Sequence, residues 1–216
     1  LIGSVLEYVK KNNFDGVSLD FEQVPKESQK DYVSFLSGLV KQVHAVNKQV
    51  SVHVPADDLS WDYSGIAKAV DQVIVMIYDE HFSITEAGPI ASLSWTDNAL
   101  KKRTQEIPAN KLIVGMGNYA YDWQGAKASS ITYSSAKALA DKYGKRLITD
   151  SVSQNNYFEY TDSLGKNHIV WVLDEYSVAM QKRAASKYEP LGYALYRLGS
   201  EDPMVWETFV SPGRTD

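Results

Sequence analysis

The sequence of 216 residues contains no cysteine. Disulfide bonds and thiolate-bound metal sites are therefore excluded, and the composition is compatible with an exported bacterial protein without requiring one. An excess of basic residues is also missing, since 22 lysines and arginines stand against 27 aspartates and glutamates, which gives a net charge of -5. Proteins that follow a nucleic-acid backbone usually carry a basic patch or stripe, so this balance predicts no nucleic-acid partner.

Long apolar runs are absent as well. A transmembrane helix needs roughly 20 consecutive apolar residues, and no segment approaches this length. Residues 1–11 are amphipathic and lack the unbroken apolar stretch of a signal peptide. We therefore expect no membrane insertion, and the composition, 44% hydrophobic and 23% charged, is that of a globular chain with a sizeable core.

The motifs of nucleotide and metal sites are also missing. No G-x-G-x-x-G or Walker lysine motif occurs, which argues against a bound nucleotide. The four histidines are scattered, and none forms H-E-x-x-H or another ligand spacing. We expect no metal and no cofactor.

Helical and strand-like segments alternate along the first half of the chain. Apolar residues recur at helical spacing in some segments and form short, nearly continuous runs in others. The pattern predicts helices over residues 1–12, 25–47, 63–70 and 91–106, and strands near residues 17–22, 50–54, 72–78 and 111–116. Such alternation indicates an α/β fold, and periodicity alone leaves an open doubly wound sheet and a closed barrel as alternatives.

The rhythm changes in the second half. A helix over residues 134–143 precedes two strand-like stretches, 157–160 and 168–173, which are separated by a turn at 162–165. A strand at 191–197 and a short helix at 203–209 close the pattern. We predict a partial (β/α) barrel from residues 1–121 and 190–216, and an inserted α+β subdomain from residues 122–189.

Two carboxylates at alternate positions follow the first apolar run. If the strand continues through residue 22, then Ser18, Asp20 and Glu22 share one face, and the Cα atoms of Asp20 and Glu22 lie about 6.6 Å apart. Neighbouring carboxyls can push their pKa values apart, and a carboxyl that keeps its proton can act as a general acid on a glycosidic oxygen. The simpler alternative from charge alone is a solvated strand end with an N-cap role for the next helix.

Four segments together resemble a known family. DGVSLDFE (residues 15–22) resembles the D-G-x-D-x-D-x-E strand of family 18 glycoside hydrolases, the chitinase-like (β/α) barrels. VIVMIYDEH (73–81) is similar to the M-x-Y-D strand, GMGNYAYDW (115–123) to the G-x-P-x-Y-G strand, and GYALYRLGSEDP (192–203) to the closing G-x-x-x-W-x-x-G strand. The segments YDEH, GPIAS and NHIVWVLDEYS are closest to the bacterial cell-wall and spore-coat branch.

The resemblance implies a site and a mechanism. Glu22 would be the general acid, Asp20 would position the N-acetyl group of the substrate, and Tyr78 would donate a hydrogen bond to the oxazolinium intermediate. In this family the acetamido oxygen of the substrate is the nucleophile, so no enzyme carboxylate attacks. The remaining expected contacts with the glycan are made by Ser18, Met76, Asp79, Tyr119, Tyr121, Trp123 and Tyr196. Taken alone, each aromatic residue at 119, 121 and 123 is better explained as core than as site, whereas Tyr196 gains from its position in the motif.

The departures from the family pattern matter too. Ser18 stands where the family has the first aspartate of the strand, and Tyr196 replaces the tryptophan that forms the floor of the sugar site. Gly117 replaces the proline, and Ala120 the glycine, of the third motif. The signature strand is the fourth of eight in the family and the first here, so we expect a (β/α)8 barrel that lacks its first three strands, within a longer multidomain chain.

Two functions remain open at this point. The first is a retaining hydrolase of β-linked N-acetylhexosamine glycans, either chitin oligosaccharides or peptidoglycan. The second is a chitinase-like lectin that binds such glycans with weak cleavage or none. Asp20, Glu22 and Tyr78 are all present, which favours the hydrolase, whereas Ser18 and Tyr196 favour the lectin. The resemblance also implies an extracellular or cell-envelope location.

Overall fold

The computed structural model describes residues 1–210. Seven α-helices and ten strands occur in this part of the chain. Their order is α1 (Ile2–Lys11), β1 (Gly16–Leu19), α2 (Gln29–His44), β2 (Gln49–Pro55), α3 (Tyr63–Ala69), β3 (Gln72–Ile77), α4 (Leu93–Arg103), β4 (Leu112–Gly117), β5 (Ala120–Gln124), β6 (Lys127–Ile131), α5 (Tyr133–Lys142), β7 (Ile148–Thr149), β8 (Asn156–Thr161), β9 (Asn167–Val172), α6 (Glu175–Ser186), β10 (Gly192–Tyr196) and α7 (Glu207–Val210).

The strands form two sheets. The first has the order β1-β2-β3-β4-β10, and β1–β2 and β2–β3 pair in parallel, with Leu19 opposite Val52 and Met76 opposite Pro55. Each of its first four strands lies next to the strand that follows it in this sheet, which is the arrangement of successive strands in a (β/α) barrel. The second sheet is antiparallel where its register is given and has the order β6-β5-β9-β8-β7.

The chain divides into two compact units. The first unit comprises Leu1–Met76, Ala99–Val114 and Tyr188–Gly192, and the second comprises Ile77–Asn98, Gly115–Lys187 and the chain from Tyr193 onward. Both units are discontinuous in sequence. The predicted boundaries of the inserted subdomain, 122–189, stay a prediction.

The core of the first unit lies between α2 and the parallel strands. Helix α2 buries Leu36, Leu39 and Val43, which recur every three or four residues on one face. Alternate residues of β2 and β3 are buried in the same way, and each fully buried aliphatic side chain contributes roughly 1.5 to 3 kcal/mol. The intervening residues of β2 and β3 remain partly exposed, except the exposed Gln49 at the start of β2, so one face of these strands is buried more deeply than the other.

The antiparallel sheet of the second unit has two packed faces. One face presents Ala120, Phe158 and Val170 to the buried alanines of α5. The opposite face carries Tyr121 and Trp171, which are directly opposite each other on β5 and β9. This second face is an aromatic layer, and it carries Tyr121 and Trp123 of the predicted glycan contacts.

Candidate active site

The segment that carries the two carboxylates leaves the sheet earlier than the sequence pattern predicts. Strand β1 ends at Leu19, and residues 20–25 form no regular structure. The expectation that Ser18, Asp20 and Glu22 share one face of a strand is therefore wrong beyond Leu19. The physical reason is that strand pairing stops at Leu19, and Gln23 has a positive φ of 53°, which an extended strand does not allow. Ser18, Asp20 and Glu22 are all exposed.

A buried glutamine holds this irregular segment in place. Gln29, at the start of α2, is 4% exposed, and its side-chain amide donates to the carbonyl of Val24 at 2.9 Å. The amide oxygen of Gln29 accepts from the backbone N–H of Asp62 at 3.1 Å. Asp62 itself caps α3 by accepting from the backbone N–H of Gly65. Gln29 thus connects the end of the irregular segment 20–25 to the start of α2 and to the start of α3.

Asp20 and Glu22 line a cavity of about 610 Å³ in the first unit. Aromatic rings form part of its wall, because Phe21 stacks on Tyr32 at 5.8 Å and on Phe35 at 6.1 Å. Burial, and then the charge of Asp20, raise the pKa of Tyr32 to about 12. The Tyr32 hydroxyl is buried and has no hydrogen-bond partner in the described part of the chain. The cavity therefore combines carboxylates with apolar ring faces, as sites for sugars require.

Asp79 is the polar centre of the predicted contacts in the second unit. The hydroxyls of Tyr119 and Tyr121 both donate to its Oδ1 atom, the second at 3.2 Å and the first at a shorter distance. Asp79 has a positive φ of 63°, which is uncommon outside glycine and turns the chain directly after Tyr78. Burial, and then the charge of Asp79, raise the pKa values of both tyrosines well above the ordinary value. Both phenols therefore stay protonated and remain hydrogen-bond donors at neutral pH.

The rings around Asp79 form one aromatic cluster. Tyr78 and Tyr196 stack nearly parallel, with centroids 5.3 Å apart and planes 13° apart. Tyr119 meets both rings edge to face, at 6.2 and 6.0 Å. Gly117 makes room for this packing, because a Cβ atom there would lie 2.8 Å from Leu173 and 3.1 Å from the Cβ of Tyr78. The glycine that replaces the family's proline is thus required by close contact.

Trp123 has a different environment. It is fully buried, its ring lies 5.2 Å from that of Tyr121, and its indole N–H donates to the carbonyl of Thr85 at 3.1 Å. This burial favours the core alternative for Trp123. Tyr196, by contrast, is 45% exposed and presents ring surface to solvent.

The structure also brings in residues that the sequence did not indicate. Tyr157 and Trp171 stack at 4.9 Å as cross-strand partners and extend the same aromatic layer. Trp171 is a buried donor without a partner in the described residues, and so is the side chain of Asn118 next to Tyr119. Trp171 lies in the strand-like stretch predicted at 168–173, but its pairing with Tyr157 has no sequence signal, and no sequence signal marks Asn118.

The ten predicted residues divide between the two units. The first unit contains Ser18, Asp20, Glu22 and Met76, where Met76 lies partly buried on β3. The second contains Tyr78, Asp79, Tyr119, Tyr121, Trp123 and Tyr196, which lie together in the aromatic cluster. Their roles in binding or catalysis stay predictions.

Residues 1–210 show neither a metal site nor a membrane span. No group of three or more histidine, aspartate or glutamate side chains is placed to hold a metal ion there. In the same residues, no helix has the length and apolar character needed to cross a bilayer.

Comparison with known families decides the assignment. The model of glycosyl hydrolases family 18 matches residues 1–201. The chain belongs to family 18. The resemblance carried by the four sequence segments is thereby confirmed.

Relatives within family 18 include glycosylases of spore-forming bacteria. An uncharacterized glycosylase of Bacillus subtilis, YvbX, is 32% identical over 94% of this chain and 62% of its own length. A cortical fragment-lytic enzyme of Bacillus subtilis is 23% identical over 95% of this chain and 51% of its own length. The chain thus spans about half to three fifths of the curated relatives it matches.

Solved structures agree on the fold. A chitinase from Chromobacterium violaceum superposes with a TM-score of 0.90 at 26% identity, covering 96% of this chain and 68% of that chain. The spore cortex-lytic enzyme SleL of Bacillus megaterium superposes with a TM-score of 0.86 at 24% identity, covering 96% of this chain and 51% of that one. The predicted α/β fold of the (β/α)8 barrel type is confirmed, with five strands in the parallel-type sheet of residues 1–210.

Proposed function

We propose that this chain carries the catalytic residues of a glycosidase that hydrolyses β-linked N-acetylhexosamine glycans, either peptidoglycan or chitin oligosaccharides, with retention of configuration. The observation that carries the proposal is the pair Asp20 and Glu22. Both carboxylates lie at the end of β1, both are exposed, and both line one cavity walled by aromatic rings.

The proposed reaction has two steps. Glu22 donates its proton to the glycosidic oxygen while the acetamido oxygen of the substrate attacks the anomeric carbon, so that the leaving sugar departs with the proton. Asp20 orients the acetamido group and accepts its N–H proton in a hydrogen bond. Water then opens the resulting oxazolinium ring, and Glu22, now a carboxylate, takes the proton from that water.

The second unit supplies the proposed glycan contacts. We assign Tyr78 a hydrogen bond to the oxazolinium intermediate and Asp79 a role in shaping the same pocket. Tyr196, nearly half exposed, is the best placed ring of the cluster to stack on a sugar. The buried hydroxyls of Tyr119 and Tyr121 support Asp79 rather than the glycan.

The relatives support an action at the cell envelope. One of them is a cortical fragment-lytic enzyme, and a similar solved structure is a spore cortex-lytic enzyme. We therefore propose that the protein acts on wall or cortex material. Because the chain spans only part of these relatives, we also propose that its activity belongs to a longer multidomain protein.

A glycan-binding protein without cleavage is the second candidate. Two observations favour it. Ser18 replaces an aspartate of the family signature, so Asp20 lacks a carboxyl neighbour two residues earlier, on β1. Tyr196 stacks on Tyr78 at 5.3 Å, so one face of the proposed sugar platform is already covered.

The test is the release of reducing ends from N-acetylglucosamine oligomers and from peptidoglycan by the protein and by Glu22→Gln. A general acid contributes about 10²- to 10⁴-fold in rate, so the variant should lose activity by that factor. Glu27→Gln is the matched control, because Glu27 is also exposed and lies five residues further along the same unit. Circular dichroism checks that all three proteins fold.

Cleavage that falls with Glu22→Gln and persists with Glu27→Gln would support the hydrolase. Equal activity in both variants would reject Glu22 as the acid. Binding of the oligomers by a folded protein that releases no reducing ends would favour the glycan-binding alternative.

A further inference from the structure

A concentrated positive charge lies in the second unit, at the end of α5. Residues 137–146 contain four basic side chains and one carboxylate, although the whole chain has a net charge of -5. The basic residues are Lys137, Lys142, Lys145 and Arg146, and all four are exposed. We call residues 142–146, at the end of α5, the basic turn.

The backbone of the basic turn is fixed by a helix C-cap. Gly144 has a positive φ of 63°, its N–H donates to the carbonyl of Asp141, and the N–H of Lys145 donates to the carbonyl of Ala140 at 2.8 Å. This pair of bonds is the Schellman arrangement, in which a glycine past the helix end satisfies the last free carbonyls. The side chains of Lys145 and Arg146 therefore project from a turn of defined backbone geometry.

Their charges are not neutralised. Asp141, the one carboxylate in the segment, pairs with Lys137 one helical turn earlier. The ammonium group of Lys142 lies 5.0 Å from the centre of the Tyr143 ring. Lys145 and Arg146 form no ion pair with any of residues 1–210. Two cations are thus free to meet an anionic partner.

The surface around them is concave. One cavity of about 540 Å³ is lined by Lys137, Asp141, Lys145 and Arg146 with their neighbours in the turn. A second cavity, of about 460 Å³, is also lined by Lys145, together with polar residues of the antiparallel sheet. Glu159 lies in that second cavity and is its exposed carboxylate, so the positive charge is greatest on the side of Arg146.

We propose that the basic turn binds the stem-peptide carboxylates of peptidoglycan, and this inference rests on the proposed function. The two candidate substrates differ in charge: chitin is a neutral chain, whereas peptidoglycan carries carboxylates on its peptides. Unpaired cations gain more from contact with carboxylates than from the uncharged hydroxyl groups of a neutral glycan. The basic turn therefore selects peptidoglycan as the glycan that this chain takes.

A purely structural role is the competing explanation. Cations near a helix C-terminus interact favourably with the helix dipole whether or not they bind a ligand. Helix α1 offers a matched control, because its last turn carries Lys10 and Lys11, which are exposed in the same way. A double charge reversal changes the net charge by the same amount in both cases, and each one acts at the C-terminal end of a helix.

The experiment compares Lys145→Glu/Arg146→Glu with Lys10→Glu/Lys11→Glu, both in a Glu22→Gln background so that substrate is not consumed. Binding is measured by co-sedimentation with peptidoglycan freed of teichoic acid and with chitin, at about 20 and about 200 mM NaCl. Each exposed ion pair is worth up to roughly fivefold, so the reversal at the basic turn should weaken peptidoglycan binding about tenfold or more at low salt. The α1 control should stay within about twofold, chitin binding should not respond, and high salt should reduce the difference.

A second arm changes the ligand instead of the basic turn. Peptidoglycan whose carboxylates have been converted to amides should bind the Glu22→Gln protein about as weakly as unmodified peptidoglycan binds the same protein with Lys145→Gln/Arg146→Gln. If Lys145→Glu/Arg146→Glu does not fold, then Lys145→Gln/Arg146→Gln takes its place with a smaller expected loss.

Unchanged binding to amidated peptidoglycan, or equal losses in the two reversal variants, would overturn the proposal. Its failure is distinguishable from failure of the proposed function. Carboxylate-dependent binding without any release of reducing ends would reject only the hydrolase, whereas cleavage that ignores the basic turn would reject only this inference.

Discussion

Removal of the Tyr119 hydroxyl tests how Asp79 is held. In Tyr119→Phe the carboxylate of Asp79 keeps the hydrogen bond from Tyr121 at 3.2 Å and loses the shorter one from Tyr119. Hydrogen bonds to charged groups contribute about 1.5 to 3 kcal/mol, so we expect the free energy of unfolding to fall by about 2 kcal/mol. Tyr121→Phe removes the longer bond and should cost about 1 kcal/mol.

These losses are measurable by thermal and urea unfolding followed by circular dichroism. For a chain of this size, 1 kcal/mol shifts Tm by about 2 to 4 °C, so Tyr119→Phe should lower Tm by about 4 to 8 °C. Both hydroxyls donate to the same oxygen, and the double variant should therefore lose more than the sum of the single variants, by about 0.5 kcal/mol or more.

Tyr8→Phe serves as the control, because Tyr8 is 63% exposed on α1. If Tyr119→Phe lowers Tm no more than Tyr8→Phe does, the two-hydroxyl contact with Asp79 does not stabilise the fold and the reasoning fails.

Two further changes test the packing of glycine and the burial of tyrosine. Gly117→Ala should lower the free energy of unfolding by about 1 to 3 kcal/mol, because its Cβ atom would overlap Leu173. Gly3→Ala, which has open space around it, should stabilise helix α1 by about 0.5 to 1 kcal/mol. If the two variants shift Tm in the same direction, the crowding at Gly117 does not determine its stability. Burial, and then the charge of Asp20, raise the pKa of Tyr32 to about 12. This shift stabilises the folded protein fully below about pH 10, and the stabilisation is lost as the pH rises towards 12. The unfolded state releases that proton first, so between about pH 10 and pH 12 the free energy of unfolding in urea should fall about 1.4 kcal/mol per pH unit more steeply than in Tyr32→Phe, and parallel slopes would refute it.

Long periodic segments were predictable from the sequence. The helix expected over residues 25–47 is α2, and its buried residues follow the 3.6-residue period because one face packs against the strands. The turn expected at 162–165 joins β8 and β9, and Gly165 has the positive φ of 75° that such a turn needs. In these segments local propensity and tertiary packing agree.

Strand ends and edge strands were not predictable. The alternation of residues 17–22 does not show where pairing with β2 stops, so β1 was expected to include Glu22 and instead ends at Leu19. Strands β6 and β7 were missed because they are short edge strands with mostly exposed residues and no apolar alternation. Both errors have the same cause: the extent of a strand depends on its hydrogen bonds to the neighbouring strand, which its own sequence does not show.

The candidate site was predictable to a similar degree. The four segments that resemble the family marked Asp79, Tyr119 and Tyr196, and the structure brings these together with Tyr78. Asp79 has a positive φ and accepts both tyrosine bonds at one oxygen, and no sequence period reveals either feature. Tyr32 was not predicted as a site residue, since its nearness to Asp20 depends on the path of the irregular segment.

The contact of Gln29 with the carbonyl of Val24 has a consequence for how this chain tolerates change in length. The segment that carries Asp20 and Glu22 is fixed at both ends. Strand β1 holds one end by pairing with β2, and the side-chain amide of Gln29 holds the other by its bond to Val24. An insertion or deletion within residues 25–28 would change the distance between Gln29 and Val24. It would therefore move Asp20 and Glu22 without replacing either residue. Variation in this part of the chain is therefore expected to come through exchange of side chains at constant spacing.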